Sequence, residues 1–192
     1  MNIRKRVKWY EEMDYSKRIN LPQGIGNLDN LEKFSQEKIK KILEKEFNES
    51  EYQQANVKIK KNGKLIQLFF KNLENLKIKL KPHYLIVLTK YGTGGSYSRQ
   101  SRQEAIFVNF FGRPIERILG VVAHEIIHLL IDPLVLKYKL EHWQKERIVD
   151  LILEKTCPKI GRTQKVPIGT KKLDKVFENF FPNIEKIVAN LK

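Results

Sequence analysis

The amino-acid sequence predicts an α+β fold with segregated elements: a helix, then a small sheet, then helices. Three observations carry this reading. Short alternating or continuous apolar runs cluster between 57 and 111, as strands do. A longer apolar run with a proline near each end follows at 113–133. Amphipathic stretches with helical spacing flank the sheet-like part. At 192 residues, the expectation is one domain spanning 1–192. Its sheet-containing part covers about 50–112, two long helices about 113–155, and a helical tail about 170–192.

The elements follow in order. "LPQGIGN" (21–27) marks a loop. "NLEKFSQEKIKKILEKEF" (30–47) spaces Leu31, Phe34, Ile39, Ile42, Leu43 and Phe47 as a helix does, with Asn30 as its N-cap. "VKIKKNGKLIQLFF" (57–70) alternates around Asn62-Gly63, a strong hairpin signal. "LKIKL" (76–80) alternates as well, and "YLIVLTK" (84–90) has the continuous apolarity of a central strand. "YGTGGSYSRQSRQ" (91–103) reads as a Gly/Ser loop, a turn or lid rather than a phosphate loop, and "AIFVNFF" (105–111) as a further strand. The sheet is therefore expected to be small, twisted and mostly antiparallel. "RPIERILGVVAHEIIHLLID" (113–132) is a helix opened by Pro114 and ended before Pro133. "LEHWQKERIVDLILEK" (140–155) is a second helix, and 171–192 forms two short helices divided at Pro182.

The composition sets limits. Hydrophobic residues make up 41% and aromatic residues 10%, enough for a packed core and unlike a disordered chain. The net charge of +15 comes from lysines spread along the whole sequence. It suits a solvated surface first, and permits nucleic acid or an acidic partner second. One cysteine, Cys157, rules out an internal disulfide and a cysteine zinc cluster. No apolar stretch reaches membrane-spanning length without a charge or histidine, and no signal peptide is read at the start. A soluble cytoplasmic protein is expected.

One segment carries chemistry. His124-Glu125-Ile126-Ile127-His128 is H-E-x-x-H on an expected helix. Residues four apart lie about 40° from each other on one helical face, so both imidazoles can reach one metal ion. Glu125 sits one step round, suited to take a proton from a water beside that ion. The flanks, from Ile118 to Ile131, are apolar nearly all round, so the helix should be buried. Buried imidazoles and a buried carboxylate cost several kcal/mol unless paired or metal-bound. A third ligand should come from downstream, where His142, Glu146 and Asp150 share one stripe of the second helix.

This layout resembles the gluzincin group of zinc metallopeptidases: H-E-x-x-H on one helix, then E-x-x-x-D on the next. The resemblance covers about 113–154, and seventeen residues separate His128 from Glu146. It implies a zincin-like fold, a Zn2+ cofactor held by His124, His128 and Glu146, and Glu125 as general base. Asp150 would orient a ligand imidazole, and an edge strand would hold a peptide substrate in extended form. Thirteen residues separate His128 from His142, which is similar to the SprT-like proteases that act on DNA-bound proteins. That layout would make His142 the third ligand, although the glycine usual near it is missing. With Glu146 as ligand, His142 is a candidate for stabilising the oxyanion, and Tyr138 a weaker one. The rival reading from another class is a basic nucleic-acid or partner-binding protein whose histidine cluster is a structural or vestigial metal site.

Overall fold

The structure, a computed structural model, describes residues 20–26, 33–76, 78–98, 105–160 and 170–191. Its helices are α1 (Gln36–Glu46), α2 (Glu49–Lys61), α3 (Gly63–Leu73), α4 (Ile115–Tyr138), α5 (His142–Thr156), α6 (Lys171–Phe180) and α7 (Ile184–Ala189). Three strands, β1 (Leu85–Thr89), β2 (Gly95–Ser98) and β3 (Ala105–Asn109), form one sheet in the order β1-β3-β2. The α+β class stands. The sheet is mixed rather than mostly antiparallel: β1 pairs parallel to β3, and β2 pairs antiparallel to β3.

α4 is the axis of the molecule. It packs against α2, α3, α5, α7, β2 and β3. Ile118, Leu119, Val122, Ala123, Ile126, Ile127 and Ile131 are all at most 3% exposed. That burial on every side explains a helix apolar nearly all round its circumference. By length and hydropathy alone α4 could cross a membrane, but 67% of its most apolar window is buried inside the fold. At Gly120 a Cβ would lie 2.4 Å from the Ile160 carbonyl oxygen, so only glycine lets the chain after α5 cross α4 this closely.

The helix does not end before Pro133. It runs through it to Tyr138. Proline leaves the Leu129 carbonyl without its intrahelical donor and exposes its ring. The helix persists because Val135 is buried and Leu134 and Tyr138 pack on the core. It closes when Lys139 adopts a left-handed conformation (φ 53°) and the Leu140 N–H donates to the Val135 carbonyl.

The expected hairpin at 57–70 is two helices. A two-residue hairpin turn of this kind needs positive φ at both central residues. Asn62 instead has φ −98° and closes α2: its N–H reaches the Ile59 and Lys60 carbonyls, and its amide donates to the Lys58 carbonyl. Gly63 then opens α3. The decisive period was 3.6, not 2: Tyr52, Ala55, Ile59, Leu65, Phe69 and Leu73 turn to the core at helical intervals. The expected strand at 76–80 is absent; Leu76 ends a short 3-10 turn, and Ile78 and Leu80 lean on the core without pairing. The sheet therefore occupies only 85–109, not the whole of about 50–112. The first helix starts at Gln36, capped by Ser35. Asn30 lies outside the described residues, as does the basic loop at 99–103.

α5 starts with a capping box between Glu141 and Gln144. Arg147 ties it to α6 by two bonds to Asp174, 2.8 and 2.9 Å long. The Arg147 hydrogen bond, outweighing burial, holds the Asp174 carboxyl below its ordinary pKa. Asp174→Asn should lower unfolding stability by about 0.5–1 kcal/mol near neutral pH, discounted for the solvent reaching this pair. A depressed carboxyl contributes above its unfolded pKa of about 3.9 and loses that contribution as pH falls through the folded value. The gap between wild type and Asp174→Asn in denaturation curves should therefore narrow as pH is lowered from about 3.9 through the acid range; a gap unchanged at the lowest pH at which both fold would refute the linkage.

Candidate metal centre

Helical spacing builds the site from both sides. On α4, His124 and His128 are one turn apart, and their Nε2 atoms approach to 2.9 Å. The three-residue connector before His142 folds α5 back onto α4, bringing Glu146 and Asp150, also one turn apart, against the same face. Glu146 Oε2 lies 3.4 Å from His124 Nε2 and 3.3 Å from His128 Nε2. Asp150 Oδ1 lies 3.5 Å from His124 Nδ1, on the far side of that ring from Glu146. The two rings meet edge to face, with centroids 4.6 Å apart.

The donor atoms of His124, His128 and Glu146 thus form a triangle with edges of 2.9, 3.3 and 3.4 Å. Three ligands held at 2.0–2.1 Å in tetrahedral arrangement have edges of roughly 3.3 Å. The triangle fits such an ion with shifts of a few tenths of an ångström, and two imidazoles with one carboxylate form a donor set suited to zinc. His128 is nearly sealed, with 4% of its side chain exposed, whereas His124 keeps 13%.

The electrostatics of the pocket favour a cation. Burial opposes a charge on His124, but its bonds to Asp150 and Glu146 and the nearby Glu125 charge outweigh it, and its pKa is pushed up to about 10. On His128 burial prevails over the contact with Glu146, and the value falls to about 4. For Glu146, burial is overcome by the two imidazoles, which hold its carboxyl well below the usual range. Three buried carboxylates, Glu125, Glu146 and Asp150, surround one positive charge.

Glu125 lies beside the sheet, and its charge also acts on His124. It is 8% exposed and lies against the first residue of β2: a Cβ on Gly95 would sit 2.9 Å from Glu125 Oε1 and 2.3 Å from Val121 Cγ1. His142 lies at the rim. Its Nδ1 is 3.9 Å from the outer oxygen of Glu146, a third of its side chain is exposed, and it packs edge to face on Trp143. It stands outside the donor triangle. Tyr138 is elsewhere. It lies ten residues beyond His128, about 15 Å along the helix, and its hydroxyl donates to Glu185. The oxyanion role considered for Tyr138 is incompatible with that position.

Four residues of this neighbourhood escape a motif reading. Tyr97, on β2, stacks on His128 with ring centroids 5.5 Å apart and donates its hydroxyl to Asp132 at 3.0 Å. Asp132 lies one turn beyond His128, so the stripe of polar residues at intervals of four was its available signal. Lys145 places its ammonium 3.3 Å from Glu146 Oε1, leaving Oε2 to the imidazoles. Gly95 is required by close approach, and the Gly-Gly pair at 94–95 was its only trace in the sequence.

In comparisons with known proteins, no family model, no curated protein and no solved structure matches this chain.

Gly95→Ala should cost about 1–3 kcal/mol, because the added methyl meets Val121 and Glu125 at sub-contact distance. In a chain of this size that lowers the melting temperature by roughly 3–10 °C. Gly63→Ala, where nothing lies within 4 Å, should be neutral or slightly stabilising. Equal melting temperatures for both variants would show that β2 does not press on α4 as described.

Proposed function

We propose that the protein is a zinc-dependent metallopeptidase of gluzincin type, with His124, His128 and Glu146 as metal ligands. The observation that carries this reading is the meeting of His124 Nε2, His128 Nε2 and Glu146 Oε2 within 3.4 Å of one another, beside a buried Glu125. A zinc ion at that triangle would polarise the scissile carbonyl and make a water more acidic at neutral pH.

The remaining work falls to the chain. Glu125 takes a proton from the attacking water as its oxygen bonds to the carbonyl carbon, then delivers that proton to the leaving nitrogen as the C–N bond breaks. Water supplies both the hydroxyl of the new carboxyl group and the proton of the new amine, and no covalent intermediate with the protein forms. Asp150 fixes the ring of His124, and Lys145 holds Glu146 so that one oxygen faces the imidazoles. His142, one third exposed beside Glu146, would donate to the developing oxyanion. Among the described residues β2 is the outer strand of the sheet and lies along α4, where an extended peptide substrate would run beside it. Peptide or protein is the expected substrate. A reducing, cytoplasmic setting suits a chain whose single cysteine is buried and free.

Two outcomes test the reading. Purified protein should carry about one zinc per chain. Glu146→Ala should lose it while His142→Ala keeps it; the reverse pattern would transfer the third ligand to His142, as in the SprT-like layout. Glu125→Gln should retain zinc and lose hydrolysis of a peptide substrate by about 10²-fold or more. Wild-type turnover in that variant would exclude the mechanism.

The net charge of +15 supports a second reading, a nucleic-acid-binding protein with a structural metal. Its mark is a DNA affinity that falls steeply between low and moderate salt and survives Glu125→Gln unchanged.

A further inference from the structure

Most cations near the functional face have acidic partners: Lys90 pairs with Glu51, Lys145 with Glu146 and Arg147 with Asp174. Arg113 and Arg117 differ. Both are half-buried, and neither side chain forms an ion pair or hydrogen bond among the described residues. Burial and the neighbouring Arg117 charge hold Arg113 below the ordinary guanidinium pKa. The pair flanks the start of α4, where the helix's own dipole adds positive potential. Two adjacent, partly desolvated guanidiniums cost stability there, and the described fold supplies no anion to offset it.

Their position relates them to the candidate metal centre. A Cβ on Gly94 would lie 3.4 Å from an Arg113 guanidinium nitrogen, and a Cβ on the next residue, Gly95, 2.9 Å from Glu125 Oε1. The Arg113 guanidinium and the Glu125 carboxylate therefore flank consecutive residues of one strand segment, within about 12 Å of each other given ordinary chain dimensions. Arg117 precedes His124 by seven helical residues, about 10 Å. An extended peptide advances about 3.3 Å per residue, so either distance corresponds to three or four residues of substrate.

We infer that Arg113 and Arg117 form a carboxylate subsite, selecting peptides with an acidic side chain or a terminal carboxylate three or four residues from the bond to be cleaved. The inference rests on the metallopeptidase reading for where that bond lies. Guanidinium forks match carboxylate geometry. The subsite lies at the start of α4, about two helical turns before the candidate ligand His124.

The experiment walks a single Glu, against Gln as control, along a ten-residue peptide, with both cleavage and binding measured. Cleavage uses the zinc-loaded protein. Binding uses fluorescence anisotropy of the labelled peptides on zinc-loaded Glu125→Gln protein. The Glu peptide should exceed its Gln control about tenfold in kcat/KM and in affinity at one position, three or four residues from the cleaved bond. In the Arg113→Gln/Arg117→Gln variant that ratio should collapse toward one, while Arg117→Lys keeps part of it. The Glu/Gln comparison on wild-type protein alone decides the matter if the double variant fails to fold. Cleavage with no Glu/Gln ratio at any position overturns the inference and leaves the peptidase reading intact. Arginine-dependent binding of the acidic peptide with no cleavage upholds the subsite and removes the peptidase reading. A DNA oligonucleotide that displaces the acidic peptide and loses its own affinity in the double variant also overturns the inference, by making phosphate the ligand.

Discussion

Two imidazoles and three carboxylates buried between apolar helices are the constraint on which the rest of this structure depends. Each ionised group taken from water costs several kcal/mol, and the cost is offset only when opposite charges lie within contact distance. The α4–α5 pair meets that condition with residues spaced by four on both helices, so that His124 lies between Glu146 and Asp150 while His128 shares the Glu146 oxygen. A one-residue slip of either helix would rotate its stripe by about 100° and leave buried charges unpaired. The cluster therefore fixes the register of the two helices more sharply than the surrounding isoleucines and leucines could, since those are nearly interchangeable around α4.

The sheet is subordinate to that helix pair. β2 is four residues long and none of its residues is fully buried, so it has little apolar surface with which to hold its place. Besides its pairing with β3, two contacts fix it against α4: glycine at 95, which lets the strand backbone approach Val121 and Glu125, and Tyr97, which stacks on His128 and bonds Asp132. The strand is thereby fixed at a set height over the imidazoles. β2 is held against α4 beside the donor triangle, and neither element alone would place a strand there.

How much of this could be seen in the sequence depended on whether the signal was local. The H-E-x-x-H and E-x-x-x-D spacings depend only on the geometry of a helix, so the grouping of His124, His128, Glu146 and Asp150 followed once both helices were recognised. Asn62-Gly63 misled because the same dipeptide that favours a hairpin turn also ends one helix and starts another. Only the tertiary packing of Ala55, Phe69 and Leu73 distinguishes the two. Pro133 misled because a proline with its ring in solvent costs one hydrogen bond, less than the burial of Val135 returns. "GSYS" carries little strand signal, since only its Tyr favours strands, and it pairs because β3 and α4 present a place for it. Tyr97 and Lys145 were out of reach for the same reason, since their significance lies in contacts between elements distant in sequence.

The net charge of the chain acquires a different meaning once its distribution is known. Part of the cationic surface is matched locally, as in the pairs on α1, at the end of α4 and between α5 and α6, and such exposed pairs contribute little to recognition. Around α4 the described charges change sign, from arginine at 113 and 117, at the start of the helix, to carboxylates at 125 and 132 farther along it. A field that reverses over so short a distance orients a charged group more than it attracts one. Total charge is therefore a weaker guide to recognition than the order of charges along the helix.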